Sequence, residues 1–241
     1  MKEYVVVIPA RYQSTRLPGK PLIDLKGKSL LLRTYEQCLK AVAANKIYVA
    51  TDDQRIYKHC VENDIQVEMT SENCLTGTDR IAEFSKKIQA KTYINVQGDE
   101  PIMNPKDILK IINLSQKYPN DVINGYAPID KNEDYNSLTI PKVVFRPDSR
   151  LLYMSRSPIP GNKQGNFRKS WRQICVYGFP KQSLLSFFEF DKKTTLEQEE
   201  DIEILRFLEL GYDVRMVELS SDSIAVDTAE DAEKVRNYLK D

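Results

Sequence analysis

A short loop near the N-terminus brings three cations and two hydroxyl groups close together in the sequence. Within residues 11–21, the cations are Arg11, Arg16 and Lys20, and the hydroxyl groups belong to Ser14 and Thr15. Arginine binds phosphate oxygens in pairs, and lysine binds them as a mobile point charge. The loop has neither the Gly-Lys-Ser/Thr ending of a P-loop nor a GxGxxG pattern. It is therefore either a phosphate-binding loop of another type or an ordinary solvated basic loop.

Carboxylates that suit a metal ion occur at two further places in the chain. Asp99 and Glu100 follow an apolar run at residues 92–96, and Asp227 lies near the C-terminus. A carboxylate just beyond a buried strand can hold Mg²⁺, which prefers one or two carboxylates plus substrate phosphates. Asp227 could complete this site, but Asp227-Thr228 before an amphipathic stretch is also a good helix N-cap. The residues alone leave both interpretations of Asp227 open.

The histidine and cysteine content argues against two classes of site. The chain has one histidine, His59, and four cysteines without a CxxC pair. Zinc sites usually contain close ligand pairs, and many hydrolases need a histidine beside their nucleophile. We therefore expect no Cys/His zinc site, a position for His59 on a helix surface, and four reduced cysteines that pack as small hydrophobic residues.

The elements that must position these side chains alternate in type along the first half of the chain. Short apolar runs predict strands, and longer stretches with apolar residues at helical spacing predict helices. The predicted strands are residues 4–9, 47–50, 65–69 and 92–96, and the predicted helices are 30–43, one through 59–62, 80–88 and 105–118. This alternation predicts an α/β fold with a mostly parallel open sheet and helices on both faces. Ligands of such sheets bind beyond the carboxyl ends of the strands, where the Arg/Lys loop begins.

The second half of the chain has a different pattern. The predicted strands are residues 122–129, 142–145, 151–155, 174–179 and 213–219, and the predicted helices are 182–190, 198–210 and 228–239. Gly211 is a plausible helix stop. The chain contains no repeat, no low-complexity tract and no linker long enough to separate two domains. We therefore expect a single domain over residues 1–241, with 122–190 as an antiparallel insertion built onto the sheet.

The charge balance and hydropathy limit the partners of the protein. Lysine and arginine total 35, aspartate and glutamate total 35, and the formal net charge is zero. General nucleic-acid binding requires a basic excess, so we expect no nucleic-acid partner. No apolar run approaches the roughly 20 residues of a membrane span, and residues 4–9 lack the charged lead-in of a secretion signal. We therefore expect a cytoplasmic protein without a membrane span.

Four motifs occur in order along nearly the whole chain. They are Ile8-Pro-Ala-Arg-Tyr12 with Ser14-Thr-Arg-Leu-Pro-Gly-Lys-Pro-Leu22, Gly77-Thr-Asp-Arg80, Asn95-Val-Gln-Gly-Asp-Glu-Pro101, and Val226-Asp-Thr228. Together they resemble the cytidylyltransferases that activate 3-deoxy-manno-octulosonate (Kdo) as its CMP ester. The opening motif is highly specific, and the related branch that activates sialic acids has a different opening loop.

The resemblance implies a Rossmann-like nucleotidyltransferase fold and an activity. CMP would pass from CTP to the anomeric hydroxyl of a 3-deoxy-2-keto sugar acid, and pyrophosphate would leave. The implied CTP-binding residues are Ala10, Arg11, Ser14, Arg16, Lys20, Thr78, Arg80 and Gln97. The implied Mg²⁺ ligands are Asp99 and Asp227, which with Arg11 and Lys20 form the implied catalytic group. The resemblance also implies a homodimer, with acceptor binding and dimerisation in residues 122–190, and a product for lipopolysaccharide or capsule assembly.

The acceptor half departs from the family pattern. The implied acceptor residues are Gln97, Arg156, Gln173, Tyr177, Glu203 and Ile204. The family usually has histidine at the position of Gln173 and glutamine at the position of Ile204. A site that hydrogen-bonds a substrate hydroxyl rejects analogues that leave its polar groups unpaired. We therefore expect an acidic acceptor related to Kdo but not necessarily Kdo itself.

Three alternatives remain open from the sequence. The chain could use another nucleotide base or another acidic acceptor, since the strand, loop and aspartate arrangement permits both. It could also be a catalytically silent regulator that binds a nucleotide sugar, because a fold alone does not establish chemistry. Asp99 and Asp227 argue against the silent regulator, which would have no need of a metal site.

Overall fold

The structure is a computed structural model that describes residues 1–14, 16–130 and 133–239. Thr15, which the sequence suggested as a phosphate-binding hydroxyl, lies outside the described residues. The strands in the described part are β1 (Lys2–Ala10), β2 (Ile47–Thr51), β3 (Val67–Met69), β4 (Ala90–Val96), β5 (Val122–Pro128), β6 (Lys142–Phe145), β7 (Leu151–Ser155), β8 (Trp171–Pro180) and β9 (Val214–Glu218).

All of these strands belong to one sheet with the order β3-β2-β1-β4-β8-β5-β9. β8 runs antiparallel to both of its neighbours, β4 and β5, and the other neighbours in this order are parallel. β6 and β7 form an antiparallel hairpin that joins the sheet through β8. Residues 122–190 therefore place β5 and β8 inside the main sheet and the hairpin beside it.

The helices are α1 (Leu30–Ala41), α2 (Gln54–Glu62), α3 (Gly77–Lys87), α4 (Pro105–Lys117), α5 (Lys181–Glu189), α6 (Thr195–Glu200), α7 (Ile204–Glu209) and α8 (Ala229–Tyr238). Side-chain caps fix several starts: Ser29 accepts from the backbone N–H of Leu32, and Thr76 accepts from that of Asp79. Each cap satisfies a backbone N–H that the first helical turn leaves unpaired. None of the described helices is long and apolar enough to cross a membrane.

β1 shows why the sheet is covered on both faces. Successive side chains of a strand point to opposite faces. Val5 and Val7 pack in one hydrophobic cluster with Phe84 of α3, whereas Val6 and Ile8 belong to a second cluster on the other side. These four β1 side chains are fully buried, and each such burial stabilises the fold by about 1.5–3 kcal/mol. A mostly parallel sheet between two helical layers confirms the predicted fold class.

The single helix predicted over residues 198–210 is wrong, because α6 and α7 are separate. Asp201 adopts a left-handed conformation with φ 51° and ends α6. The guanidinium of Arg156 donates to the backbone carbonyls of Glu200 and Asp201, at 2.6 and 2.9 Å. A continuous helix would use those carbonyls for its own hydrogen bonds. The predicted stop is confirmed, since Gly211 follows α7 with φ 84°.

Three smaller expectations can be compared with the structure. The helix predicted from residue 80 begins three residues earlier, at Gly77, because Thr76 rather than a later residue provides the cap. His59 lies on α2, where it is partly buried, and its Nε2 is 2.7 Å from the hydroxyl of Ser29. The four cysteines are free thiols, and Cys38 and Cys60 are fully buried in the core.

Candidate active site

A cavity of about 810 Å³ opens at the carboxyl ends of β1 and β4. One wall is the loop that follows β1, and residues Gln97 to Asp99 form the floor. The opposite wall comes from the segment before α3 and from the chain between α5 and α7, and Asp227 closes the rim. Ligands of open parallel sheets bind at such strand ends, where the loops leave the sheet.

The loop after β1 is fixed at both ends. The backbone N–H of Gly19 donates to the carbonyl of Tyr12 at 3.1 Å, which folds the loop back on itself. Gly19 has φ 68° and precedes a short 3₁₀ helix at Lys20–Leu22, so it occupies a conformation that side chains disfavour. Arg11, Ser14, Arg16 and Lys20 all line the cavity, as the sequence predicted. Arg11 and Arg16 are exposed, so their guanidinium groups can meet an anion.

Lys20 joins the two aspartates that the sequence paired as metal ligands. Its Nζ lies 2.7 Å from Asp99 Oδ2 and 3.0 Å from Asp227 Oδ1. Burial alone would lower the pKa of Lys20, but the two carboxylates outweigh it and raise that pKa above its ordinary value. Lys20 is therefore charged at neutral pH. Asp99 and Asp227, which are 79 and 207 positions from Lys20 in the sequence, therefore both contact its ammonium group.

Close backbone packing brings Asp99 and Asp227 to the same place. A Cβ on Gly98 would come within 2.9 Å of the carbonyl oxygen of Pro9, so only glycine lets the end of β4 lie this near β1. The backbone N–H of Val226 donates to the carbonyl of Asp99 at 2.9 Å. That hydrogen bond holds the segment that carries Asp227 against the segment that carries Asp99.

The alternative that Asp227 caps the last helix is wrong. Thr228 is the N-cap of α8, and its hydroxyl accepts from the backbone N–H of Asp231 at 3.2 Å. Asp231 completes the capping box by accepting from the backbone N–H of Thr228. The carboxylate of Asp227 instead contacts Lys20 and the guanidinium of Arg16, the latter at 3.1 Å. Asp227 thus faces the cavity.

The donor set of Asp99 and Asp227 fits Mg²⁺. Both carboxylates already bracket one cation, the ammonium group of Lys20. Mg²⁺ typically takes one or two carboxylates and completes its shell with water and substrate phosphates. Among residues 1–14, 16–130 and 133–239, no group of three or more His, Cys, Asp or Glu side chains could hold a metal ion. Phosphate oxygens would therefore have to supply part of the ligand shell.

Glu100 supports this corner of the cavity from behind. It is 6% exposed, and its carboxylate accepts a hydrogen bond from the hydroxyl of Ser223. Burial, together with the negative charge of Asp99, raises the pKa of Glu100 to about 7. The contact with Ser223 ties the end of β4 to the segment that leads to Asp227. No sequence pattern indicates this link, since Ser223 lies in a stretch without regular spacing.

Of the predicted CTP-binding residues outside the loop, some line the cavity and one is buried behind its wall. Arg80 and Gln97 line the cavity with Ala10. The guanidinium of Arg80 is buried and donates to Thr70 Oγ1 at 2.5 Å and to Asp52 Oδ2 at 2.6 Å. The side chain of Thr78 is not in the wall: it is 1% exposed, and its backbone N–H donates to Glu203 Oε2 at 3.0 Å. Burial raises the pKa of Glu203.

The predicted acceptor residues are mostly outside the cavity. Glu203 and Gln97 line it, but Arg156, Gln173, Tyr177 and Ile204 do not. Ile204 is 1% exposed in the hydrophobic core, because α7 turns its side chain inward. Tyr177 is 8% exposed and stacks on Phe179. Both side chains are therefore buried behind the cavity wall, and their contact with an acceptor stays a prediction.

Gln173 and Arg156 are engaged elsewhere in the fold. The Gln173 amide donates to Asn124 Oδ1 at 3.1 Å and to the Tyr177 hydroxyl at 3.4 Å. The guanidinium of Arg156 donates to three backbone carbonyls, those of Leu138, Glu200 and Asp201. These bonds use three of the five N–H groups of the guanidinium, so Arg156 holds the junction of α6 and α7 and does not line the cavity.

A buried ion-pair network connects the two parts of the opposite wall, the start of α3 and the pair α6 and α7. Arg206, which is fully buried, donates to both carboxylate oxygens of Glu197, at 2.5 and 2.7 Å. Its third contact is with Asp79 Oδ1 of α3 at 3.1 Å. The network therefore fixes α6 and α7 against the first turn of α3. Nothing in the spacing of the sequence identified the partners of Arg206.

Two charged residues in the cavity wall have no signal in the sequence. Lys193, between α5 and α6, and Asp201 both line the cavity, and Lys193 Nζ is 2.7 Å from Asp201 Oδ1. Lys193 stands in an ordinary Lys-Lys pair, and the helix expected over 198–210 hid the turn at Asp201. Only the break between α6 and α7 could have indicated this pair.

The chain is similar to known cytidylyltransferases over nearly its full length. The family model for cytidylyltransferases matches residues 5–217. A 3-deoxy-manno-octulosonate cytidylyltransferase of Chloroherpeton thalassium is 40% identical over 98% of this chain and 97% of its own length. The enzyme of the same name from Protochlamydia amoebophila is 38% identical over 98% of this chain and 94% of its own length.

Solved structures agree with this similarity. A CMP:2-keto-3-deoxy-manno-octonic acid synthetase in complex with CTP superposes with a TM-score of 0.91, at 33% identity over 98% of both chains. HddC from Yersinia pseudotuberculosis superposes with a TM-score of 0.70 at 18% identity, over 98% of this chain and 100% of its own length, and shares the fold alone.

Proposed function

We propose that this chain, which belongs to the 3-deoxy-manno-octulosonate cytidylyltransferase family, transfers CMP from CTP to the anomeric hydroxyl of Kdo and releases pyrophosphate. One observation carries the proposal: Lys20, Asp99 and Asp227 meet at one end of a cavity whose rim holds Arg11 and Arg16. This arrangement provides cations for a triphosphate and carboxylates for a metal ion. The relative solved with CTP supports the choice of nucleotide.

The loop after β1 is proposed to bind the triphosphate. Arg11, Ser14 and Lys20 would contact its oxygens, and Arg16 would assist from the rim. Arg80, fixed by Asp52 and Thr70, would lie beside the cytosine ring with the backbone at the start of α3. Thr78 would act through its backbone, because its side chain is buried behind the wall.

Asp99 and Asp227 are proposed to hold Mg²⁺ together with the phosphates. The bound ion would neutralise charge on the phosphates and polarise the α-phosphate. For this, Lys20 would have to move from between the two carboxylates toward the phosphate oxygens. Lys20 would then stabilise the negative charge that develops on the departing pyrophosphate.

The reaction itself is proposed to be a direct displacement in one cavity. The anomeric oxygen of the acceptor forms a bond to the α-phosphorus while the bond to the bridging oxygen of pyrophosphate breaks. The electron pair of that bond leaves with pyrophosphate, and the hydroxyl proton passes to solvent. The protein contributes by holding both substrates in line and by matching the charge, which accounts for most catalysis in such transfers. We assign no side chain as a general base.

The proposed acceptor is the one for which the relatives are named. The sequence suggested an altered acid because Gln173 and Ile204 depart from the family pattern. Neither side chain lines the cavity, so the proposal gives neither a direct contact with an acceptor bound there. Kdo itself, the substrate named for the relatives, is therefore the proposed acceptor. A cytoplasmic location and a role in supplying lipopolysaccharide or capsule assembly belong to the same proposal.

A homodimer built through residues 122–190 is also proposed. Several large apolar side chains of this region are exposed, among them Leu138, Leu152 and Phe167 at 64%, 59% and 40%. A two-fold contact would cover them, and two-fold dimers are the commonest soluble oligomers. Light scattering coupled to gel filtration should give twice the chain mass of 27.8 kDa, and a monomer at micromolar concentration would contradict it.

Pyrophosphate release tests the proposed function. The protein is incubated with Mg²⁺, one nucleotide triphosphate and one acid from a panel that includes Kdo, its 8-amino variant and sialic acid. We expect release with CTP and Kdo and little with UTP, dTTP or sialic acid. Release with another acid but not with Kdo would restore the altered-acceptor alternative. Tight CTP binding with no release from any acid would favour a silent regulator instead.

A further inference from the structure

Tyr12 links the loop after β1 to a helix that lies outside the cavity. The guanidinium carbon of Arg55, in the first turn of α2, lies 3.3 Å from the centre of the Tyr12 ring. An arginine this close to an aromatic face makes a cation–π contact. Tyr12 lines the cavity, whereas Arg55 does not line it and is exposed. The contact therefore joins the loop to a residue behind it.

Asp53 holds the guanidinium of Arg55 in this stacked position. Its Oδ1 accepts from Nε at 2.9 Å and its Oδ2 accepts from Nη2 at 2.6 Å, which makes a bidentate pair. Asp53 is also the N-cap of α2, because Oδ1 accepts the backbone N–H of Arg55 at 2.8 Å. Arginine suits both contacts, since the edge of its planar group donates while its face stacks. The ring of Tyr12 thus meets a group that α2 holds in place.

The hydroxyl end of Tyr12 packs against the turn that precedes Lys20. A Cβ built on Gly19 would lie 3.0 Å from the hydroxyl oxygen of Tyr12 and 3.1 Å from its Cζ. Gly19 is buried, and its backbone N–H donates to the carbonyl of Tyr12. The backbone N–H of Lys20 donates to the carbonyl of Leu17 at 3.1 Å. The ring therefore supports the turn from which Lys20 enters the cavity.

The residue before Asp53 reaches the other side of the cavity. Asp52 Oδ2 accepts from Arg80, which lines the cavity, at 2.6 Å. Two adjacent carboxylates at the end of β2 thus hold Arg80 directly and Tyr12 through Arg55. Neither aspartate lines the cavity itself. The segment that follows β2 therefore contacts cavity residues on two sides without forming part of the wall.

We infer that Arg55 is a positioning residue for the nucleotide, and that it acts through Tyr12 by holding the loop after β1 in its binding conformation. That conformation presents Arg11, Ser14 and Lys20 to the triphosphate. The inference rests on the proposed function for the identity of the ligand, but the effect on the loop exists in the free protein. Apparent affinity falls with the fraction of protein that is in the binding-competent conformation, so a loosened loop weakens binding of CTP.

Amide hydrogen exchange in the free protein tests the effect on the loop. Arg55→Met removes both the stack and the bidentate pair. The amides of Gly19 and Lys20 should then exchange about twofold to fivefold faster, the change that loss of an exposed cation–π contact produces, and the amides of β1 should keep their rates. Lys58→Met is the matched control, because it removes the same charge from an exposed position of the same helix. It should leave exchange in the loop unchanged.

Binding calorimetry and steady-state kinetics connect the loop to the nucleotide. Arg55→Met should raise the Kd for CTP by at least about twofold and at most about fivefold, because the Kd cannot rise by more than the opening equilibrium of the loop does. The value of kcat at saturating CTP and the KM for Kdo should stay unchanged, since bound triphosphate restores the loop. Saturating CTP should also remove the difference in amide exchange between Arg55→Met and the wild type.

The outcomes separate this inference from the proposed function. Equal amide exchange in Arg55→Met and the wild type would overturn the inference, and so would faster exchange with an unchanged Kd for CTP. An equal rise in Kd for Arg55→Met and Lys58→Met would assign the effect to general charge attraction and also overturn it. Wild-type protein that binds CTP but releases no pyrophosphate with Kdo would overturn the proposed function alone, because exchange and calorimetry would still measure the role of Arg55.

Discussion

The two walls of the cavity are built in different ways. The wall after β1 takes Arg11, Ser14, Arg16 and Lys20 from one short loop that backbone hydrogen bonds close. The opposite wall takes its charged groups from the break between α6 and α7, which side-chain contacts of Arg156 and Arg206 hold in place. The residues of a wall made from one loop can be predicted from the local sequence. Those of a wall made by tertiary contacts cannot.

The largest effect should come from the corner where the walls meet. Asp99→Asn removes one of the two carboxylates around Lys20, so kcat/KM for both substrates should fall about a hundredfold to a thousandfold. Coupled pyrophosphate kinetics measure this change. Asp148→Asn, in an exposed turn between β6 and β7, is the control and should keep wild-type rates. Equal activity in both variants would remove Asp99 from the proposed catalytic group.

Substitution of Arg206 tests how much the buried ion-pair network contributes to the stability of the fold. Arg206→Met leaves the buried Glu197 without its cation and frees α6 and α7 from Asp79. We expect the free energy of unfolding in urea to fall by about 3–5 kcal/mol. Lys58→Met, which removes an exposed pair with Glu62 at 3.7 Å, is the control and should cost less than about 1 kcal/mol. A cost as small for Arg206 would mean that the second wall does not depend on this network.

A glutamine at position 204 distinguishes a core residue from an acceptor contact. Ile204 is buried in the hydrophobic cluster, so Ile204→Gln should lower the free energy of unfolding by about 1–3 kcal/mol, the cost of burying an unpaired amide. The KM for Kdo should stay unchanged. Ile204→Val, which retains the apolar surface, is the control and should cost about 1 kcal/mol. A lower KM for Kdo in the glutamine variant would show that residue 204 contacts the acceptor.

The smallest effect is expected for Gln173→His. The Gln173 amide contacts Asn124 and Tyr177, outside the cavity wall, and a histidine could keep one of these hydrogen bonds. Because this substitution leaves the residues of the cavity wall in place, we expect kcat/KM for Kdo to change by less than about threefold. The same panel of acids measures it. A switch in the preferred acid would show that this strand sets acceptor choice.

The sequence predicted the β1 wall well and the opposite wall poorly, for physical reasons. Strand β1 and the cations after it follow from a continuous apolar run and the position of ligands at strand ends, both of which are local signals. Asp227 was ambiguous because an aspartate before a helix can cap it, and only the capping box of Thr228 with Asp231 resolved this. The burial of Tyr177 and Ile204 could not be predicted, because a motif gives the order of residues but not which way each side chain points.

Lys193 and Asp201 illustrate what no local pattern could supply. The turn at Asp201 depends on Arg156, which lies 45 residues earlier in the chain. Helical spacing continues through residues 198–210 in the sequence, so the break is a tertiary effect that overrides propensity. The position of charged side chains in this wall follows from that break.

Isotope labelling of the anomeric oxygen tests most directly whether this oxygen attacks the α-phosphorus of CTP. Kdo equilibrated in ¹⁸O-labelled water carries the label at its anomeric hydroxyl, through exchange with the open keto form. The labelled Kdo is then mixed with the protein, CTP and Mg²⁺ in ordinary water, and the masses of the products are measured by mass spectrometry. Direct displacement in one cavity predicts labelled CMP-Kdo and unlabelled pyrophosphate in equal amounts. Unlabelled CMP-Kdo at early times, or pyrophosphate formed without CMP-Kdo, would contradict it.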